Sequence, residues 1–248
     1  MNIAEIRGAN NDFIRSYERF GTNLFLKTLQ TQATNYDPQY MIDAYFRYYE
    51  KVFIRSASRG YQLIQKMERE EKDFIPSGFF LTTWREWIRQ WVLDNLMPII
   101  AGVNENTLKI IQEITAKGIE DGLNPGQLAK LLRSQVGSKA RALAIARTEG
   151  TTANNMGTLR SSEEWERQTG ETLYKIWIHS GNPRDPRRAH IDAQNKPIPK
   201  GDQFLINGKL MTMPGDKTAG PSETISCLCT HLYMSERRAR KRYPEAFK

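Results

Sequence analysis

The repeat of apolar and polar positions changes period near residue 172, and before that point it is helical. Phe13, Tyr17, Phe20, Leu24 and Leu29 recur at near-helical spacing among polar residues and predict a helix over about 3–34. Asn35-Tyr36-Asp37-Pro38 is a stop-and-restart signal, with Asp37 as N-cap and Pro38 at the first helical position. Met41, Tyr45, Tyr48 and Val52, at i, i+4, i+7 and i+11, then form one apolar stripe of a helix reaching about Glu71. The aromatic side chains of that stretch (Tyr40, Tyr45, Phe46, Tyr48, Tyr49, Phe53) read as core or interface, with stacking on bases as the alternative.

A break over Phe74–Gly78 precedes a helix of about 79–96 that places Trp84, Trp87 and Trp91 on one face. Such an apolar surface suits packing against the preceding helices or a partner subunit. A separate helix is expected after Asn104, from Glu105 to Gly118, and Asn124-Pro125-Gly126 opens a short one ending near Gly137. The next begins at Ser138. Its Ala140, Leu143, Ala144 and Ala146 allow close approach by a neighbour, and Gly170 is a natural stop. Arg147, Thr151 and Asn154 make a polar line, which either faces a site further along the chain or docks the C-terminal module through a buried network.

After Thr172 the texture is that of short strands. Leu173–Ile178 alternates, and Asn207-Gly208 is a hairpin turn between Phe204–Ile206 and Leu210–Met213. Thr224–Met234 alternates again and would put Ile225, Cys227, Cys229 and His231 on one strand face. The remainder, SERRARKRYPEAFK, reads as a short basic helix. The fold class is therefore α+β: a long, mainly α-helical N-terminal region followed by a small β-rich C-terminal module.

Composition adds three constraints. With 39% apolar and 26% charged residues over 248 positions, the chain is long enough for one large domain or two modest ones. The longest apolar run, Leu93–Val103, is broken by Asp94, Asn95 and Pro98, and MNIAEIRGANNDF has no apolar leader core, so neither a membrane span nor a secretory signal is expected. The net charge of +8 suggests an anionic partner, nucleic acid first.

Candidate chemistry is concentrated in Tyr174–Met234, which holds all 3 histidines (His179, His190, His231) and both cysteines. Two cysteines at C-x-C spacing are poorly placed to bridge each other, which fits a reducing compartment. Cys227, Cys229 and His231 with His190 are suitable ligands for Zn²⁺ in a closed four-coordinate site; a metal-free packed cluster is the other reading. A cysteine nucleophile beside His190, oriented by Asp185, Asp192 or Asp216, or a nuclease with Arg187 as phosphate clamp, can also be written from these residues. Neither has an identifying local motif. Arg184, Arg187 and Arg188, and in the tail Arg237, Arg238, Arg240, Lys241 and Arg242, are possible contacts to DNA phosphates, or simply a solvated charge run. No base-reading motif is present.

IARTEGTTANNMG, a Trp-bearing strand, PRDPRRAH, PGD and ISCLCTHLY, in that order, resemble the phage Mu F-like head morphogenesis family, the minor head proteins of tailed phages. The matching positions are Arg147-Thr148-Glu149, Trp177, Arg187 to His190, Phe204, Pro214-Gly215-Asp216 and Cys227-Leu228-Cys229. The chain departs from the family pattern in the turn after His190, at Ser226 and at Leu228. The resemblance covers about 105–234 and implies a structural polar cluster of Arg147, Glu149, Trp177, Arg187, His190, Asp216, Cys227 and Cys229. It also implies a non-enzymatic protein of the virion, present in the host cytoplasm during assembly, that binds the portal protein and neighbouring head proteins and handles packaged DNA. On this reading 1–104 is a helical partner-binding region, 105–234 the shared module and 235–248 a basic tail. The alternatives are a metal- or histidine-dependent hydrolase or nuclease in the C-terminal module, and a sequence-independent nucleic-acid-binding protein.

Overall fold

The computed structural model describes residues 3–68, 77–181 and 187–247, with the side chains of 77–84 outside that description. The break read over Phe74–Gly78 falls mostly outside the described residues, as do the side chain of Trp84 and all of Arg184 and Asp185. Five long helices come first: α1 (Ile3–Gln32), α2 (Pro38–Glu68), α3 (Ser77–Glu120), α4 (Pro125–Val136) and α5 (Lys139–Thr169). Several of their ends follow directly from the sequence. Asn124 caps α4 by accepting from the Gln127 N–H at 3.0 Å while the Gln127 side chain returns to the Asn124 N–H at 2.9 Å, a reciprocal capping box. Ser138 accepts from the Arg141 N–H at 3.2 Å to start α5, and Gly170 ends it at φ 69°.

Helix α3 corrects one expectation. It runs unbroken for 44 residues through Pro98 and Asn104, where two helices were predicted. Proline removes one main-chain donor, but packing on either side of it holds the helix: Leu96 and Ile100 are fully buried. Asn104 does not cap anything. Its side chain accepts from Gln32 Nε2 at 3.0 Å, and its carbonyl accepts from the Tyr36 hydroxyl at 3.4 Å, so it ties α3 to the α1–α2 turn.

Helix α5 is packed between α1 and α2 along most of its length. Close approach is achieved by Ala146, Gly150, Ala153 and Gly157, whereas Ala140 is exposed and Leu143 and Ala144 are only half-buried. A Cβ at Gly157 would lie 2.7 Å from the Phe53 carbonyl oxygen, and one at Gly150 would lie 2.7 Å from the Tyr48 hydroxyl. The stripe read from α2 is the main core: Met41, Tyr45, Tyr48 and Val52 are all buried, with Phe25 set edge-on against Tyr45 and Tyr48 at 5.3 Å. Trp87 and Trp91 pack on this core beside Phe53 and Tyr49.

Among its described residues the C-terminal part contains α6 (Arg188–Asp192), α7 (Pro221–Thr224) and α8 (Glu236–Arg242) and five short strands. These are β1 (Leu173–Ile178), β2 (Ile198–Pro199), β3 (Phe204–Ile206), β4 (Lys209–Met211) and β5 (Thr230–Ser235). One sheet is antiparallel in the order β2-β1-β5, with Trp177 opposite His231; the other is the β3–β4 hairpin. The hairpin turns on Asn207 and Gly208, both with positive φ (52° and 76°), as the dipeptide predicts. Ile176, Ile178, Leu232 and Met234 cover Ile6 of α1, Met67 of α2 and Ala239 of α8, while Trp177 faces the hairpin with Phe204, Ile206 and Met211. Mixed α and β structure with a helical N-terminal part and a small antiparallel C-terminal part is the expected class.

Candidate functional site

Helix α5 is the platform for the module. Its Thr148 hydroxyl accepts from the Ser226 N–H at 2.9 Å, and the Thr151 hydroxyl donates to the Cys227 carbonyl. Thr152 donates to the Gly215 carbonyl at 3.0 Å. Asn155 donates at 2.9 Å to both the Pro214 and the Cys229 carbonyls and accepts from Thr230 at 2.8 Å. These side chains satisfy the main chain of an irregular loop that would otherwise leave buried polar groups unpaired. Of the polar line read from the sequence, only Thr151 takes part. Arg147 instead pairs with Glu18 at 3.0 Å, and Asn154 bonds Asn10 and Ser56. The line that holds the module lies one residue over, at Thr148, Thr152 and Asn155, spaced i, i+4 and i+7.

Glu149 is buried on the same helix. It accepts from the Tyr49 hydroxyl at 2.6 Å and from Lys217 Nζ at 2.9 Å. Burial first, and then the Glu149 charge, push the Tyr49 phenol well above its ordinary range. Asp216 caps the short 3₁₀ turn Lys217–Ala219 by accepting from the Thr218 N–H at 3.1 Å and also accepts from the Thr212 N–H at 2.8 Å. Asp216 thus presents Lys217 to Glu149.

The sulfur and imidazole groups converge above this platform. His190 on α6 places Nδ1 3.6 Å from Cys227 Sγ and 3.6 Å from Cys229 Sγ, and all three residues are buried. Nε2 of His190 lies 3.2 Å from Glu223 Oε2. Burial would raise the Glu223 carboxyl, but hydrogen bonds from Asn207, Ser222 and His190 prevail and leave it below its ordinary value. The Cys227 thiol is pulled well below its ordinary value, chiefly by the hydrogen bond from the Cys229 thiol and further by His190; that same bond and burial push Cys229 up. Trp177 stands edge-on to the His190 ring at 5.1 Å, and Arg187 closes the loop by donating to the Ile225 carbonyl at 2.7 Å.

His231 does not join this group, which corrects its expected place among the metal ligands. The reading assumed one strand from Thr224 to Met234. Residues 221–224 are helical, Ser226 has φ 54°, and the strand begins only at Thr230. His231 therefore faces Tyr233, with ring centroids 4.9 Å apart, and burial holds its imidazole well below its ordinary pKa. Among the described residues, the His/Cys/Asp/Glu cluster with metal-ligand spacing is His190, Cys227 and Cys229. Sequence reasoning missed Glu223, Lys217 and Asn155, and placed Tyr49 only among core or interface aromatics rather than on Glu149. Only Asn155 left a trace, in the helical spacing of Thr148, Thr152 and Asn155.

Helix α5 thus seats a small β module, with Arg147-Thr148-Glu149 on the helix beneath the closing Cys227-Leu228-Cys229 segment. The family model for phage Mu protein F-like proteins matches residues 109–232, half of the chain, and the chain belongs to that family. Membership implies a role in phage head morphogenesis as a minor head protein, and Mu F-like head proteins are typically structural. No curated protein and no solved structure gives a significant match. No helix among the described residues is long and apolar enough to cross a membrane.

Proposed function

We propose that this chain acts in head assembly by binding. Region 1–104 engages the portal protein and neighbouring head proteins, the module of 105–234 carries the framework shared with the family, and the tail of 235–248 contacts packaged DNA without reading its sequence. The observation that carries the DNA contact is the setting of α8. Ala239 anchors it in the apolar layer behind the sheet, and Arg238 pairs with the buried Glu68 at 3.3 Å. Arg240 is spent on Glu236 and on stacking over Phe247. Arg237 and Lys241 are exposed on the rim of an open groove floored by Met67, Glu68 and Met234, and Arg242, also exposed there, lies over the Tyr243 ring at 6.0 Å. A row of exposed cations with no base-reading element among the described residues around it suits phosphate contact. Within region 1–104, Leu93 on α3 is an exposed apolar position open to a head partner.

An enzymatic role for the Cys/His cluster is disfavoured by its size. The cavity beside it measures about 10 Å³, room for a water or an ion rather than a nucleotide or peptide. The test of the DNA contact is binding to random-sequence DNA over a salt series. Changing Arg237, Lys241 and Arg242 together to Ala should weaken binding equally for unrelated sequences and lower the salt slope by about 2–3. An unchanged slope would remove α8 from the interface. Turnover of DNA or peptide that disappears in His190→Ala would favour the hydrolase instead.

A further inference from the structure

We propose that His190 Nδ1, Cys227 Sγ and Cys229 Sγ bind one Zn²⁺ ion as a three-residue site whose fourth position is taken by water in the adjoining cavity. The three ligand atoms lie within 4.8 Å of one another, and Nδ1 is 3.6 Å from each sulfur. A tetrahedral zinc with bonds of about 2.3 Å to sulfur and about 2.05 Å to nitrogen sets its N···S edges at roughly 3.6 Å. The two N···S edges of the cluster already have the length that an ion would impose.

The surroundings are arranged to hold those atoms in place. Glu223 Oε2 lies 3.2 Å from Nε2, and it is itself held by Asn207 and Ser222, each at 3.1 Å. A carboxylate accepting the hydrogen bond from Nε2–H keeps the imidazole proton on the remote nitrogen and leaves the lone pair on Nδ1, as in carboxylate–histidine–zinc arrangements. The two cysteines lie outside regular structure. Their carbonyls are fixed by Thr151 and Asn155, and the turn at Ser226 between α7 and β5 lets both sulfurs face His190. Ser180, His179, Arg187 and Ser226 line the cavity of about 10 Å³ beside the three ligands, the volume of a single water by that measure.

Binding is balanced in charge and in protons. Zn²⁺ replaces the two thiol protons, which leave to solvent, and the two thiolates neutralise the dication. The ion would join α6 to the 225–229 loop across a module built from one sheet of three strands and one of two. A thin core of this kind gains fixed tertiary structure from such a clip. The inference is independent of the assembly role.

The experiment uses the full chain, purified without a metal-binding tag, with elemental analysis and a thiol count on the same sample. Wild type should carry about one zinc per chain, and Cys227→Ser and Cys229→Ser should lose it. His231→Phe should retain it, and loss of zinc there would overturn the ligand set. Because the serine variants can fail to fold, the wild-type protein is also refolded with Co²⁺. Thiolate-to-cobalt charge-transfer absorption and tetrahedral d–d bands are expected. Folded wild type without zinc or cobalt bands, with both thiols freely reactive or joined as a Cys227–Cys229 disulfide, overturns the proposal.

Discussion

The side-chain amide of Asn155 donates to the carbonyl of Cys229 at 2.9 Å and to that of Pro214 at the same distance, so one helical residue holds two loops of the module. Both carbonyls lose their partner in Asn155→Ala, and leaving a buried acceptor unsatisfied costs about 1–3 kcal/mol each. Urea unfolding should show a loss of about 3 kcal/mol. Asn155→Asp, which faces the same carbonyls with a carboxylate, should be at least as damaging.

Two glycines in helices should respond oppositely to alanine. Gly157→Ala would set a Cβ 2.7 Å from the Phe53 carbonyl oxygen and 2.8 Å from the Ala57 nitrogen, and main chain cannot swing aside. Thermal unfolding should show a loss of about 1–3 kcal/mol, the usual cost of overpacking. Gly8 on α1 is exposed and has nothing within 4 Å of an added Cβ. Gly8→Ala should stabilise the protein by about 0.5–1 kcal/mol through helix propensity.

Glu149 and Lys217 form a nearly buried ion pair at 2.9 Å. Removing one partner strands the other charge, so Glu149→Ala should cost about 3–5 kcal/mol. Lys217→Met in the same background should restore part of that loss. A double-mutant cycle by chemical denaturation measures the coupling, and strict additivity would show that the pair does not interact.

Lys175 supplies a pH signature. Its side chain is buried on β1, donates to the Thr212 carbonyl at 2.8 Å and lies over the Phe204 ring. Burial, opposed by Asp202 and Asp216 and assisted by Lys200, lowers its pKa from 10.5 to about 8. Between those values the unfolded chain holds more protons than the folded one, so stability rises with pH across that window. Denaturation from pH 7.5 upward should show wild type gaining on Lys175→Met between about pH 8 and 10.5. Parallel profiles would show that Lys175 titrates normally in the folded state.

Local chemistry made much of this fold legible. The caps at Asn124, Ser138 and Gly170 and the Asn207-Gly208 turn each rest on side chains or backbone freedom next to the element they end or bend. The meeting of His190 with Cys227 and Cys229 was legible from their shared segment, but the place of His231 was not. Period-two spacing describes a strand only if one forms, and the turn at Ser226 intervenes. Asn104 and Pro98 misled for a related reason. Their local preference is to end helices, yet Gln32, Tyr36 and the buried neighbours Leu96 and Ile100 keep α3 whole. The Thr148–Thr152–Asn155 line escaped because its partners are main-chain groups dozens of residues away, which carry no side-chain signature.

The most direct test of the assembly role is to mix the purified chain with the portal protein of the same phage and measure the mass of what elutes on size exclusion with light scattering. A defined complex of fixed stoichiometry, lost when Leu93 of region 1–104 is changed to Glu in the full chain, is the predicted result. A chain that elutes alone at monomer mass at every mixing ratio would contradict it.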